Sequence, residues 1–450
     1  MIVKLKAVNI LKMKGMKREL LFIAFIFSTW AGISQSSEEK KLEEALFALP
    51  DVSFTKLTQH NELPIQYMLR VKQPLDHKDK SKGEFYQRVL LTHQGFEKPT
   101  LMQTQGYELY TGKNELEIAL KANHLNIEHR YFGESVPDSI QWKYLTLEQV
   151  TADLHKINQL FKPLYKSKWI STGISKGGQT TIFYKYFYPD DVDVSIPYVA
   201  PFNDGLEDQR IYTFLDTVGS AECRNKIEEF QRNLLKQESA ALEKLKWYAK
   251  GAGLEFKYLD DELGKAYELA VLEFSFSFWQ WGSKCEEIPG NENLDTSLDY
   301  LLKVSNIDFF GDSSMEKYAP HYYQAASQMG YYGYDIDAFK EDLKHFTSNP
   351  LASFYPKEAG KVVYDPALNK KVDTWLKSSG NNMLYIYGGS DTWSADMIIP
   401  TSKVNSKSYV LPGKDHGKAR IKNMDPVMKK QFSDQLGLWM GMQVLPEEFK

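Results

Sequence analysis

Lys168-Trp169-Ile170-Ser171-Thr172-Gly173-Ile174-Ser175-Lys176-Gly177-Gly178-Gln179-Thr180-Thr181-Ile182-Phe183-Tyr184-Lys185-Tyr186-Phe187-Tyr188-Pro189 is the stretch that decides the fold. Its first five residues predict a strand, and the run from Lys176 to Tyr188 predicts a helix that Pro189 stops. Between them lies G-x-S-x-G, residues 173–177. In a strand–turn–helix setting this pattern is a sharp turn that lifts a serine hydroxyl above the sheet, with glycines where backbone must pass backbone. The same residues only superficially echo a phosphate-binding loop, because Gln179 stands where the phosphate lysine is required.

Working outward, strands are predicted at 86–92, 100–105 and 125–129, with helices at 114–122 and 147–161 between and after them. A further strand follows at 192–199. This alternation predicts a parallel sheet with helices on both faces. It fails from about 203 to 350, where Glu, Lys, Leu and aromatics recur at helical spacing, as in 223–245 and 337–345. It resumes with a helix at 371–377, strands at 383–387 and 408–411, and a closing helix at 432–442. The expectation is an α/β-hydrolase fold, its core made of 37–203 and 351–450, with a mainly helical cap of 204–350 inserted.

A serine hydroxyl becomes a nucleophile only when a base takes its proton, and the base needs an acid to hold its tautomer. On this fold the acid and the histidine follow the serine in that order, on turns after later strands. Gly388-Gly389-Ser390-Asp391 and Gly413-Lys414-Asp415-His416-Gly417 are such turns, and His416 is the one histidine of nine beyond the acid. Ser175, Asp391 and His416 are therefore the expected nucleophile, orienting acid and base. Asp396 and Asp415 are weaker acid candidates. The oxyanion hole is expected from the backbone N–H of Lys176 and of Tyr107, which follows Gly106 after an earlier strand. The Lys176 side chain is expected at the surface, and His129, His321 and His345 are expected to be structural.

Composition narrows the class further. The 450 residues are 42% hydrophobic and 25% charged, with a formal net charge of −4. Six of the 55 Lys and Arg fall in the first 36 residues against the single acid Glu19, so the remainder is more acidic than the whole. Such a body has no attraction for phosphate backbones, and nucleic-acid binding is not expected. Lys14, Lys17 and Arg18, the apolar run 20–27 and the small residues that follow read as a signal peptide over 1–36. Export to the periplasm or the extracellular space is expected, with no stable membrane insertion after cleavage. An oxidising compartment favours a bridge between Cys223 and Cys285, the only cysteines. No metal-binding spacing is present, and no cofactor is expected.

These residues resemble a known family, the S37 serine peptidases, related to the S28 prolyl peptidases. The resemblance spans roughly 87–439. It is carried by Gly173–Gly178, Tyr188-Pro189-Asp190-Asp191-Val192, Tyr198-Val199-Ala200-Pro201, Glu128–Ser135, Phe276–Gln280, Asp391-Thr392-Trp393 and Asp415-His416-Gly417. Ile174 departs from the glycine expected at its place. The resemblance implies a tripeptidyl or prolyl aminopeptidase that releases tri- or tetrapeptides from free N-termini through an acyl-enzyme, cleavage after proline being one expected specificity. Such an enzyme needs a carboxylate for the substrate ammonium and an apolar slot at the cut. Glu128, Glu134 and cap acids such as Glu273 are candidates for the first. Phe276, Phe278, Trp279, Trp281 and Trp393 are candidates for the second, and Arg130 is expected to pair an internal acid. An esterase on the same fold and a non-catalytic binding protein are the alternatives, because a triad alone does not choose amide over ester.

Overall fold

Nine strands lie side by side in one sheet: β1 (Val52–Lys56), β2 (Ile65–Pro74), β3 (Glu84–His93), β4 (Thr100–Thr104), β5 (Asn123–Ile127), β6 (Trp169–Ile174), β7 (Val194–Tyr198), β8 (Leu384–Gly388) and β9 (Lys407–Leu411). This is a computed structural model, and it describes residues 38–57, 64–290 and 293–450. The leader expected over 1–36 lies outside the described residues. The strand order is β1-β2-β3-β5-β4-β6-β7-β8-β9. From β5 to β9 neighbours are parallel, as the alternation requires. The expectation of an all-parallel sheet needs correction at the other edge, where β1, β2 and β3 run antiparallel and β3 pairs antiparallel with β5. Antiparallel neighbours need no crossover helix, so the strand–helix alternation carries no trace of them.

The helices are α1 (38–48), α2 (Glu115–Leu120), α3 (Leu147–Phe161), α4 (Lys176–Phe187), α5 (Gln209–Thr217), α6 (Ala221–Lys236), α7 (Glu238–Ala252), α8 (Leu263–Gln280), α9 (Leu294–Val304), α10 (Asp312–Gln324), α11 (Ile336–Phe339), α12 (Ala367–Ser378) and α13 (Pro426–Met440). Successive strand residues point to opposite faces. Thus Leu101 packs with Leu116 of α2 and Phe432 and Leu436 of α13, whereas Met102 packs with Ile157 and Phe161 of α3. Ile182 and Phe183 of α4 join Val372 and Leu376 of α12. Helices on both faces of a mixed sheet, with a serine at the turn from β6 to α4, make this an α/β-hydrolase fold.

Helices α5 to α11 all fall between β7 and β8 and pack around an apolar centre of their own. Its axis is α8, thirteen of whose residues are buried, and the ring of Phe230 of α6 packs tilted against Phe274 of α8 at 4.6 Å. The helix expected over 223–245 is two helices that meet at Gln237. Phe278 belongs to this centre, fully buried with Phe274 at 5.8 Å and Trp279 at 5.3 Å. Its expected place in a substrate slot is corrected accordingly.

A disulfide joins Cys223 on α6 to Cys285 in the turn after α8, with Cα atoms 5.5 Å apart. Cross-linking residues 62 apart in sequence restricts the unfolded chain by about 4 kcal/mol in the chain-entropy model. Cys223→Ser with Cys285→Ser is therefore expected to lose about that much stability in denaturant unfolding under oxidising conditions. An unchanged midpoint and slope would show that the bridge constrains nothing the unfolded chain would otherwise sample.

Candidate active site

Ser175 sits between β6 and α4 with φ 57° and ψ −125°, a conformation costly for any residue with a Cβ. It is held there by its neighbours. A Cβ on Gly173 would lie 2.2 Å from the Gly177 carbonyl oxygen, and one on Gly177 would lie 2.5 Å from that of Thr104. Only glycine lets these backbones approach so closely. The Ser175 N–H donates to the Tyr198 carbonyl at 2.9 Å, tying the turn to β7. Ile174, the departure from the family pattern, turns outward and lines the cavity above the serine.

His416 and Asp391 meet beside it. The His416 Nδ1 lies 2.7 Å from Asp391 Oδ2, and both side chains are buried. With Nδ1–H donated to the carboxylate, Nε2 is the nitrogen left with a lone pair. Asp391 Oδ1 accepts the Trp393 N–H at 3.2 Å, so the turn that carries the acid also fixes its rotamer. Both loops hang on α8. The His416 N–H donates to the Gln280 carbonyl at 2.9 Å, and Thr392 Oγ1 donates to the Phe276 carbonyl at 2.9 Å. The cap therefore positions the acid and the base directly. Asp396 and Asp415, the weaker candidates, lie off His416: Asp396 accepts from Asn203 Nδ2, and Asp415 accepts from Lys418.

The loop after β4 presses on the turn of the serine, because a Cβ on Gly106 would lie 2.6 Å from both the Gly177 nitrogen and the Lys176 Cβ. The N–H of Tyr107, next in that loop, donates to nothing among the described residues. The N–H of Lys176, first in α4, has no partner within the helix. Tyr107 and Lys176 both line the cavity that holds Ser175, and two N–H groups without a partner there are of the kind that can stabilise an oxyanion.

Here the structure overturns one expectation. The Lys176 side chain is not a surface charge but is 3% exposed, its Nζ 3.0 Å from His129 Nε2 and within 5.8 Å of the Tyr107 and Phe132 ring centroids. Burial pushes this amine well below the ordinary lysine range. His129 Nδ1–H donates to the Arg130 carbonyl at 2.7 Å, and burial, with Lys176 beside it, pushes this imidazole well below the ordinary histidine range. His321, which lines the cavity, is pushed down to about 3 by burial and by Lys176. The amine thus lies under the Tyr107 loop, a placement no local pattern encodes.

A cavity of about 610 Å³ opens over Ser175 and His416, of a size to enclose a short peptide. Trp281 and Trp393 line it. Trp281 is 57% exposed, its ring 5.7 Å from that of His416. Trp393 packs edge-on against Phe276 at 5.1 Å and Tyr332 at 5.3 Å. Phe276 stacks behind Tyr332 at 3.8 Å, and it lines, with Trp279, a separate cap cavity of about 280 Å³.

Glu273 also lines the main cavity. Its Oε1 accepts Ser277 Oγ at 2.6 Å, and its Oε2 accepts the hydroxyls of Tyr332 at 2.7 Å and Tyr334 at 3.1 Å. No cation among the described residues pairs with it. Burial raises its carboxyl to about 7 although three hydroxyls pull it down. The other two candidate carboxylates are elsewhere. Glu128 is fully buried on Arg88 and accepts the N–H groups of Leu109 and Glu134, which makes it a strut for the loop that carries Tyr107. Glu134 is 61% exposed and paired with Arg88 at 2.6 Å. Neither reaches the cavity, so both are corrected as amine ligands. Arg130 pairs with the buried Asp153 at 2.6 Å. Tyr331, Tyr332 and Tyr334 escaped the sequence reading. The signal was the run Gly330-Tyr331-Tyr332-Gly333-Tyr334, which follows a π-helical turn at Ala325–Met329.

Elsewhere in the cap, Glu238, Glu268 and His345 hold ligand-type atoms within 4.8 Å of one another. Glu268 spends its oxygens on the N–H groups of 344–346, and Glu238 on Lys344 and His345. That cluster pins a cap loop to α7 and α8.

The family model for PS-10 peptidase S37 matches residues 38–446. The chain belongs to the peptidase S37 family. This S37 peptidase is 30% identical over 404 residues to the prolyl tri/tetrapeptidyl aminopeptidase of Streptomyces mobaraensis, covering 87% of this chain and 83% of that one. It is 25% identical over 356 residues to prolyl carboxy peptidase like protein 5 of Caenorhabditis elegans, covering 64% and 70%. Among solved structures, a proline iminopeptidase from Mycobacterium smegmatis matches it at TM-score 0.34 and 12% identity, over 83% of this chain and 97% of that one. No described helix of this S37 peptidase is long and apolar enough to cross a membrane.

Proposed function

We propose that this S37 peptidase is a serine aminopeptidase that releases tri- or tetrapeptides from free N-termini, cleavage after proline included. Ser175 attacks the carbonyl, His416 takes its proton and later returns it to the leaving nitrogen, and Asp391 holds His416 in the required tautomer. The N–H groups of Lys176 and Tyr107 receive the oxyanion. Water then attacks the acyl-enzyme and regenerates the serine. The observation that carries the amine end of this reading is Glu273, a carboxylate buried in the cavity of Ser175 with hydroxyls but no cation around it. A substrate ammonium supplies the missing charge. The Streptomyces relative, named for the same activity, supports the substrate class. Trp281 and Trp393 supply the apolar walls at the cut.

Two chromogenic peptides test this, Ala-Ala-Pro-linked with a free amine and the same peptide N-acetylated. The free form is expected to be cleaved with kcat/KM about 100-fold or more above the acetylated one, since an unpaired buried carboxylate costs several kcal/mol. Equal rates on both, or turnover of simple esters alone, would move the reading to an esterase.

We also propose that the protein is exported. The basic, apolar and small-residue order of 1–36 supports it, as does the Cys223–Cys285 bridge, which persists in oxidising compartments. N-terminal sequencing of the protein recovered outside the cytoplasm is expected to begin near residue 37; an intact Met1 on that protein would remove the leader.

A further inference from the structure

In the acyl-transfer step proposed above, His416 delivers its proton to the departing nitrogen, so the groups beside His416 flank the leaving half of the substrate. Four residues on, Arg420 lines the same cavity together with Gly417. It is half-buried. Its Nη1 donates to the carbonyls of His416 at 3.1 Å and Ala419 at 2.9 Å, and the guanidinium lies 5.8 Å from the Tyr198 ring centroid. These contacts anchor the group yet occupy one nitrogen of three. Among the described residues, Nε and Nη2 donate to nothing, and no carboxylate lies at ion-pairing distance. The acids around it are already engaged. Glu115 accepts the N–H groups of Ile421 and Lys422, and Asp415 is paired with Lys418.

An anchored guanidinium with an open fork and no counter-ion is built to receive a carboxylate, because planar N–H pairs match its two oxygens. We infer that Arg420 binds the C-terminal carboxylate of a short leaving group, so that the favoured substrates are short free peptides whose chain ends soon after the cut. This rests on the aminopeptidase reading, which puts the other charge at Glu273. Both line one cavity, one acid and one base, and the pair suits a peptide with both ends free. A long polypeptide has no carboxylate to offer there and gains nothing from Arg420.

Three tetrapeptides with free amines decide it: Ala-Ala-Pro-Ala as the acid, the same as the C-terminal amide, and Ala-Ala-Pro-Asp as the amide. Charge-assisted pairing of this kind makes kcat/KM for the acid roughly tenfold or more above that for its amide. In Arg420→Met that ratio is expected to fall to about one, and in Arg420→Lys to lie between, since a lysine keeps the charge but not the fork. The ratio is taken within each protein, so a general loss of activity does not disturb it. A wild-type ratio near one, a ratio retained in Arg420→Met, or a preference confined to the Asp peptide would each overturn the inference. N-acetylated Ala-Ala-Pro-Ala separates the two layers. If it is cleaved as fast as the free peptide, the aminopeptidase reading falls while the acid-to-amide ratio still reports on Arg420.

Discussion

Ser175→Ala is expected to lower kcat/KM by about 10⁵-fold, equivalent to about 7 kcal/mol of transition-state stabilisation, with the thermal midpoint unchanged within error. The size follows from what is lost. Without Oγ no acyl-enzyme forms, and what remains is the rate given by substrate positioning and the two backbone N–H donors. The unchanged fold follows from the surroundings. Ser175 Oγ makes no hydrogen bond among the described residues, and alanine keeps the Cβ that the strained φ of 57° already accommodates. The strain is imposed by the glycine packing and the N–H to Tyr198, which the substitution leaves in place. His416→Ala should cost nearly as much, and the double variant no more than the worse single one, because the residues act as a unit. Ser175→Ala with more than about one per cent of the wild-type kcat/KM would remove the serine from its role.

Much of the candidate site was legible because it is local. The turn at Ser175 is written in five consecutive residues, and the turns of Asp391 and His416 end strands whose apolar runs are short and flanked by glycine. Chain order then links them without any knowledge of distance. What was not legible depends on elements far apart in sequence. Lys176 reads as a surface charge because a lysine one residue into a helix usually points to water. Its burial arises from His129 and the Tyr107 loop, which a parallel strand pairing brings over it. Choosing among Glu128, Glu134 and Glu273 needed the cap to be folded over the sheet. The Glu128 motif is conspicuous in sequence yet holds a loop, whereas Glu273 is one acid among many on an ordinary helix. The antiparallel edge β1–β2 was missed for want of a connecting helix, and the α6–α7 break because helical spacing carries on across Gln237.

Glu273→Gln is expected to cost free-amine substrates about 10²- to 10³-fold in kcat/KM and to stabilise the protein at alkaline pH, two effects with one origin. The carboxyl of Glu273 is raised from 4.5 to about 7 by burial. Between those values the folded protein still holds a proton that the unfolded chain has released. Stability therefore falls as pH rises through that window, and above pH 7 the full penalty, up to about 3 kcal/mol, is in place. Glutamine never ionises, so the variant should gain on the wild type at pH 8 relative to pH 5. The same ionisation is what a substrate ammonium needs. As pH falls below about 7 the free enzyme carries a neutral Glu273, and kcat/KM for the free-amine peptide should drop faster than for its N-acetylated partner. The substrate's own amine, with a pKa of about 8, stays protonated below about pH 7, so the ratio of the two peptides between pH 5 and 7 reports Glu273. Urea unfolding at the two pH values and the pH dependence of the ratio measure this directly. A ratio flat from pH 5 to 7, with no relative gain in stability for the variant, would place the amine site on another group.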